Sequence, residues 1–240
     1  MLSIVIPAYN EEKRIADTLH FLRLKFPSSN IIVVFDGNDK TPDIAKKFGA
    51  FVYVNGARLG KGASIKLGLS IAKSNKILII DADLPTDEVE KIITQDADLV
   101  IAHRDLSTMP RIRRFLHHGY NFLAKLLFPS LIRFKDLQAG VKLVKKEVTE
   151  RIMDELIMND FVFDTNLIYA FVRHGFKVKE VHVKYNHKEE DSKISGKLVK
   201  IVIFMALSLI KLRVYYSPFR RILYTKTFLK IQDKIIKMLR

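Results

Sequence analysis

The sequence predicts an α/β fold, a mostly parallel sheet covered by helices. Three observations predict it. In the first hundred residues short apolar runs alternate with amphipathic stretches, the pattern of strands joined by crossover helices. The runs are rich in β-branched residues and lack inside–outside alternation, as strands buried on both faces do. Carboxylates and glycines fall just after these runs, at the strand ends where such folds place their ligands.

In chain order, strands are expected at Leu2–Ile6, Ile31–Phe35, Phe51–Val54, Ile77–Ile80 and Leu99–Ala102. Helices are expected near Glu11–Lys25, Pro42–Phe48, Lys61–Ser74 and Pro85–Gln95. Asn10 suits the N-cap of the first helix, with Glu11 and Glu12 favoured in its first turn. Beyond Ala102 the alternation breaks. Arg111–Phe128 reads as a helix and Val141–Val144 as a strand. A helix near Phe163–His174 precedes an alternating strand, Lys177–Tyr185, and the loop His187–Ser195 is polar. Within Phe122–Phe134 the aromatic and aliphatic content suits core packing or a lipid groove.

The chain has 240 residues, 48% of them hydrophobic, enough for one full-sized core. It has no cysteine, which excludes disulfides and thiolate metal sites and suits a reducing cytoplasm. The N-terminus enters a strand-like run with no charged leader or cleavage pattern, so no signal peptide is expected. The formal charge is +15, and Lys211–Arg240 holds nine Lys or Arg against Asp233 alone. A tail of that kind suits an anionic membrane surface or nucleic acid.

Two C-terminal segments carry this further. Leu198–Leu212 is very apolar, but fifteen helical residues span only roughly 22 Å, short of the roughly 30 Å of a bilayer core. It is read as interfacial or packed on the domain. On a helical wheel Lys226, Lys230, Lys234, Lys237 and Arg240 oppose Phe228, Ile231, Ile235, Ile236, Met238 and Leu239. A basic face opposite an apolar one describes a helix lying in a membrane surface. The lysines do not interleave with stacking aromatics, so nucleic acid is not an expected partner. The expected division is a catalytic domain over 1–195 and a basic, amphipathic membrane-association segment over 196–240.

Asp81-Ala82-Asp83 follows its strand directly, and two carboxylates there suit Mg²⁺ or Mn²⁺ held partly by substrate phosphates. Asp36-Gly37 ends another strand, as an acceptor for a ribose or base or as a plain turn. Tyr9 is placed to pack against a base. Gly56–Gly62 is neither a Walker loop nor a dinucleotide fingerprint, but Arg58 and Lys61 on a glycine-rich turn can meet a diphosphate at a helix N-terminus. The adjacent His117 and His118 lack metal-ligand spacing. Asp136 and Asp164 read either as groups orienting acceptor or sugar, or as structural ion pairs.

Taken together, Pro7–Glu12, Asp36–Thr41, Arg58–Gly62 and Asp81–Leu84 resemble, in order and spacing, the family 2 glycosyltransferases. Asp136-Leu137-Gln138-Ala139-Gly140-Val141-Lys142 looks like the Asp-x-Gln-x-Gly-Phe-Lys stretch of dolichyl-phosphate β-glucosyltransferases, and Phe163-Asp164, Lys179–Tyr185 and Ser192-Lys193 follow in that order. The resemblance covers about residues 1–215. It implies a GT-A fold and an inverting transfer of a hexose, glucose ahead of mannose, from UDP-glucose or GDP-mannose to a polyprenyl (dolichyl) phosphate at the cytoplasmic membrane face. By the same resemblance Pro7, Tyr9, Glu11 and Asp36 bind the nucleotide, with Ala82 beside them. Asp81 and Asp83 hold the metal, while Arg104 and Lys193 touch phosphate or sugar. Asp83, Asp136 and Arg104 are the candidate catalytic residues.

Phe35 stands where the family usually has the first Asp of Asp-Asp-Gly, which leaves Asp36 to serve base and ribose alone. Pro85 stands where mannosyl relatives place a Gln. A phosphate acceptor is largely ionised at neutral pH, its second pKa being about 6, so it needs positioning more than a base. Arg111, Arg113 and Arg114 are the candidates to hold it, or else are surface charge. Two other readings stand beside this one: transfer to a hydroxyl of a lipid-linked or surface glycan, and a non-catalytic sugar-nucleotide scaffold.

Overall fold

The computed structural model describes residues 1–107, 109–185 and 198–239. A seven-stranded sheet forms from β1 (Leu2–Ala8), β2 (Asn30–Phe35), β3 (Phe51–Val54), β4 (Lys76–Ile80), β5 (Leu99–Arg104), β6 (Val141–Lys145) and β7 (Val178–Val183), in the order β3-β2-β1-β4-β6-β5-β7. All neighbours are parallel except β6, which runs antiparallel to β4 and to β5. The fold is the α/β class that the alternating runs predict.

Helices cover both faces, which is why the central strands are apolar throughout. Ile4, Ile6 and Ala8 of β1 point into a core with Ile15, Leu19 and Leu22 of α1 (Ile15–Lys25). Ala45 of α2 (Thr41–Lys47) and Val89 and Ile92 of α4 (Val89–Ile93) complete that layer. On the opposite face Val5 meets α3 (Lys61–Ile71), where a side chain on Gly68 would collide with it, so this helix–sheet contact requires glycine. α6 (Lys146–Ile152) and α7 (Phe163–Arg173) follow β6, and α7 buries Phe163, Leu167, Ile168 and Phe171.

Two helix expectations are corrected. The first helix starts at Ile15, not near Glu11, and its N-cap position is Arg14 with no side-chain cap. Asn10 lies in the left-handed region at φ 53°, and its Oδ1 accepts from the Asn38 N–H at 2.8 Å. The loops after β1 and β2 are zipped together: Glu11 N–H donates to Thr41 Oγ1, Glu12 N–H to Asp39 Oδ2, and Lys40 N–H to Glu12 Oε2. These long-range bonds take the groups that a local cap would have used. Of the expected helix Pro85–Gln95 only Val89–Ile93 forms, because Leu84 turns the chain at φ 48° and Glu88 is held by Lys91 and by the Lys184 N–H.

The chain divides into two compact units, one of residues 1–108 and 134–187, the other of 109–133 and 188–240. The first contains the sheet. Within the second, α5 (Arg111–Leu127) packs with α8 (Leu198–Tyr215), and a 3₁₀ segment, Pro218–Tyr224, leads into α9 (Lys226–Leu239). α5 buries His117, Asn121 and Ala124, and Asn121 Nδ2 bonds His117. Its exposed side carries Ile112, Phe115, Phe122 and Leu126. Phe122–Phe134 thus splits: Phe128, Leu131 and Phe134 are buried, whereas Phe122, Leu126 and Ile132 are exposed. α8 runs three residues past the expected Leu212. Among the described residues no helix is long and apolar enough to cross a membrane.

Candidate active site

Tyr9, Asp36, Asp81 and Arg104 all lie at or just beyond the carboxyl ends of parallel strands, so the sheet gathers them along one edge. Since β6 is antiparallel, its start reaches that same edge. Val141 pairs with Ile80, and the Gly140 carbonyl accepts the Asp81 N–H at 3.0 Å. α3 and α7 add Lys61 and Asp164 from their first turns.

The buried carboxylate of Asp36 receives Leu59 N–H at 2.8 Å, Gly60 N–H at 2.7 Å and Asn55 Nδ2 at 3.2 Å. It fixes the glycine-rich turn from below, while Phe35 beside it is packed in the core. The N–H groups of Leu59 and Gly60 are therefore already committed. Gly62 N–H also donates, to the Asn159 carbonyl. Gly60, at φ 98°, and Gly62 are required because a Cβ on either would press to 2.5 Å of a carbonyl, of Asn159 and Met158 respectively. Two side chains at this helix start are candidates for the diphosphate contact expected there. Arg58 is one, its guanidinium lying 4.1 Å from the centre of the Tyr9 ring.

Lys61 is the other. Its Nζ lies 2.9 Å from Asp81 Oδ1, 3.1 Å from Asp81 Oδ2 and 3.2 Å from Asp164 Oδ2. Burial opposes its charge, but the carboxylates of Asp164 and Asp81 outweigh that and hold the ammonium above the ordinary lysine pKa. Lys142 Nζ reaches Asp164 Oδ1 at 2.7 Å and also the Ala139 carbonyl. Burial raises the cost of the Asp164 charge, yet Lys142 and Lys61 together hold its pKa below the usual carboxylate range.

Asp83 differs. Its Oδ1 is buried with no hydrogen-bond partner among the described residues. Burial, then repulsion from Asp81, pushes its pKa up, with Arg14 opposing. Arg14 is itself paired with Glu11 at 2.6 Å. Among the described residues no three His, Cys, Asp or Glu side chains converge as a metal cage. A pair of hard carboxylates with one orphaned oxygen fits a divalent cation that takes its remaining ligands from phosphate and water.

Arg104 and Asp136 form a two-pronged pair, Nε to Oδ2 at 2.5 Å and Nη2 to Oδ1 at 2.9 Å. Asp136 is fully buried, its N–H capped by Glu180. Asp136 and Tyr185 hold the Arg104 guanidinium charged against the cost of burying it. Tyr185, its pKa raised by burial, lies beside Arg104 and within electrostatic range of Asp83 and Asp81. Arg111, Arg113 and Arg114 open α5 in the second unit, and Lys193 lies outside the described residues.

The sequence reading did not single out Arg14, Lys142 or Tyr185. Lys142 closes the Asp136–Lys142 motif, and its place there was the available signal. No local signal marks Arg14 or Tyr185.

A sequence model described as glycosyl transferase family 2 matches residues 3–152, more than half the chain. The chain belongs to glycosyl transferase family 2. This family 2 glycosyltransferase is 33% identical over 202 residues to the uncharacterized protein MJ1222 of Methanocaldococcus jannaschii, a match covering 78% of this chain and 82% of that one. It is 30% identical to the dolichyl-phosphate β-glucosyltransferase of Mus musculus, covering 78% and 68%. Among solved structures, glucosyl-3-phosphoglycerate synthase from Mycobacterium tuberculosis shares its fold, with a TM-score of 0.68 at 21% identity over 87% of this chain and 79% of that one. That protein has also been crystallised with Mn²⁺, UDP-glucose and phosphoglyceric acid.

Gly140 offers a direct test of this geometry. A Cβ there would overlap Asp81 Oδ2, while the backbone itself tolerates alanine. Gly140→Ala is expected to displace the Asp81 carboxylate and lower transfer about 100-fold, the scale of a misplaced reacting group. The melting temperature should move only a few degrees. Near-normal activity would show that the position of Asp81 is not critical.

Proposed function

We propose that this family 2 enzyme moves a hexose, glucose ahead of mannose, from a nucleotide-diphospho-sugar to a polyprenyl (dolichyl) phosphate at the cytoplasmic membrane face. The observation that carries the reading is the Asp81–Asp83 pair at the ligand edge of the sheet, with Lys61 and Arg14 acting on it and a buried Asp83 Oδ1 that has no hydrogen-bond partner among the described residues. The dolichyl-phosphate β-glucosyltransferase among the relatives supports the acceptor class. Asp81 and Asp83 would hold Mg²⁺ or Mn²⁺, whose charge neutralises the departing diphosphate.

The protein's own groups do the rest. Tyr9 and Arg58, already stacked, flank the base, and Pro7, Glu11, Asp36 and Ala82 shape the nucleotide site. Arg104, steered by Asp136, meets the sugar or the diphosphate. The ion-paired state of Asp136 and Asp164 favours the phosphate acceptor. A hydroxyl acceptor needs a carboxylate base, and these two carboxylates are already engaged by cations. An ionised phosphate needs only to be positioned for attack on the anomeric carbon. Arg111, Arg113 and Arg114 are assigned to that task, with Lys193 on the donor side.

Transfer of label from UDP-glucose or GDP-mannose to a short polyprenyl phosphate tests the reading. No transfer from either donor, despite nucleotide binding, would reject it in favour of a hydroxyl acceptor or a non-catalytic role.

Attachment to the membrane is assigned to the second unit. Residues 109–133 and 198–240 hold 15 Lys or Arg against one acid, a net +14, while the rest of the chain nets +1. The same segments expose Phe115, Phe122, Phe219 and Tyr224. Basic charge beside exposed aromatics suits the surface of an anionic bilayer. The protein should sediment with vesicles containing phosphatidylglycerol, and less so in high salt. Phe115→Ser with Phe122→Ser should weaken binding about tenfold or more. Equal binding by the double variant would remove α5 from the surface.

A further inference from the structure

Lys61 occupies a place that the proposed metal site leaves no room to ignore. Its ammonium spans both oxygens of Asp81, at 2.9 and 3.1 Å, where a cation ligated by that carboxylate would compete with it. Its second partner, Asp164, is anchored by Lys142, which is locked in place at 1% side-chain exposure. The side chain of Asp81 is 31% exposed and that of Asp164 only 4%, so the Asp81 contact is the one that can open. The α3 backbone at Lys61 is pinned between Gly60 and Gly62, both tight against residues 158 and 159. The ammonium can therefore pivot on its flexible stem about a fixed Cα while staying near Asp164.

The charges point the same way. With Lys61 on Asp81, Lys142 on Asp164 and Arg14 on Glu11, Asp83 feels the Arg14 charge, but its buried Oδ1 has no hydrogen-bond partner among the described residues. An arriving diphosphate brings anionic oxygens that compete for Lys61 and so release Asp81.

Resting on the metal assignment above, we propose that Lys61 is a built-in competitor for the metal. It holds Asp81 until a nucleoside diphosphate draws it away, which makes cation and donor binding mutually dependent. By linkage each ligand should then strengthen the other by the same factor. The device keeps the cation from seating firmly in a site that has no donor.

The test is titration of the full chain with Mn²⁺, following free Mn²⁺ by EPR, with and without UDP or GDP. A nucleotide supplies metal ligands of its own, so the deciding measurement is Mn²⁺ alone. Lys61→Met and Lys61→Gln should each bind Mn²⁺ alone about tenfold tighter than the unaltered protein, since a like charge beside the site is removed. Both should lose most of the strengthening by nucleotide, while Lys61→Arg keeps the original behaviour. Two neutral variants guard against misfolding of either one, and Asp164 keeps Lys142 in both. If Asp83→Ala abolishes Mn²⁺ binding but neither neutral variant tightens it, Lys61 is not a competitor and the inference fails alone. If Asp83→Ala binds Mn²⁺ unchanged, the metal assignment fails and the inference falls with it.

Discussion

Asp83→Ala is expected to reduce sugar transfer to polyprenyl phosphate by at least about 1,000-fold, the scale of losing a group that neutralises charge in the transition state. The same substitution should leave the protein as stable as before, or slightly more so. The reason lies in the environment of the carboxyl group. Its Oδ1 is buried with no hydrogen-bond partner among the described residues, and burial together with Asp81 raises its pKa. For an acid, a folded-state pKa above the unfolded value means that the charged form costs stability at neutral pH. Removing the group removes that cost. A melting temperature that holds or rises while activity disappears marks a residue kept for function at the expense of the fold. A clear loss of stability with activity retained would place Asp83 among structural groups. Labelled donor, a short polyprenyl phosphate and a thermal melt supply both readouts.

Asp136→Ala should act in the opposite way, mainly through stability. Asp136 is fully buried and makes both prongs of its pair with Arg104, whose side chain is only 13% exposed. Breaking such a pair from one side leaves a buried guanidinium with Tyr185 but without its carboxylate, a loss of roughly 3–5 kcal/mol. For a chain of this size that lowers the melting temperature by about 10 °C or more. Asp136→Asn keeps the shape and one acceptor, so a smaller drop is expected. Activity should fall in both, because Arg104 is no longer steered, and the fall should be larger in the alanine variant. If Asp136→Asn melts normally yet loses all transfer, Asp136 acts on the substrate itself and its pairing with Arg104 is secondary.

These two carboxylates look alike in the sequence, as acids close to a strand end or a turn. One is left partly unsatisfied and the other is fully neutralised, and that difference sets their expected roles. It depends on Arg104 and Glu180 reaching Asp136 from 32 and 44 positions away. Among the described residues no hydrogen-bond partner reaches Asp83 Oδ1.

The sequence by itself determined the class of fold, because the period of apolar residues and the preference of β-branched side chains for strands are local properties. It also determined that Asp36 and Asp81 stand at strand ends, since parallel strands deliver their carboxyl ends to one edge. Local pattern misjudged Asn10 as a helix cap and extended the helix after Pro85 too far, because bonds to Asn38 and Lys184 outcompete local ones. Only the tertiary structure decided that β6 enters antiparallel between β4 and β5 and sets Gly140 against Asp81. Only it decided that Lys61 pairs with Asp164, 103 positions away. Periodicity is written in neighbouring residues, whereas the partner of a buried charge is chosen by which chain segments the sheet brings together.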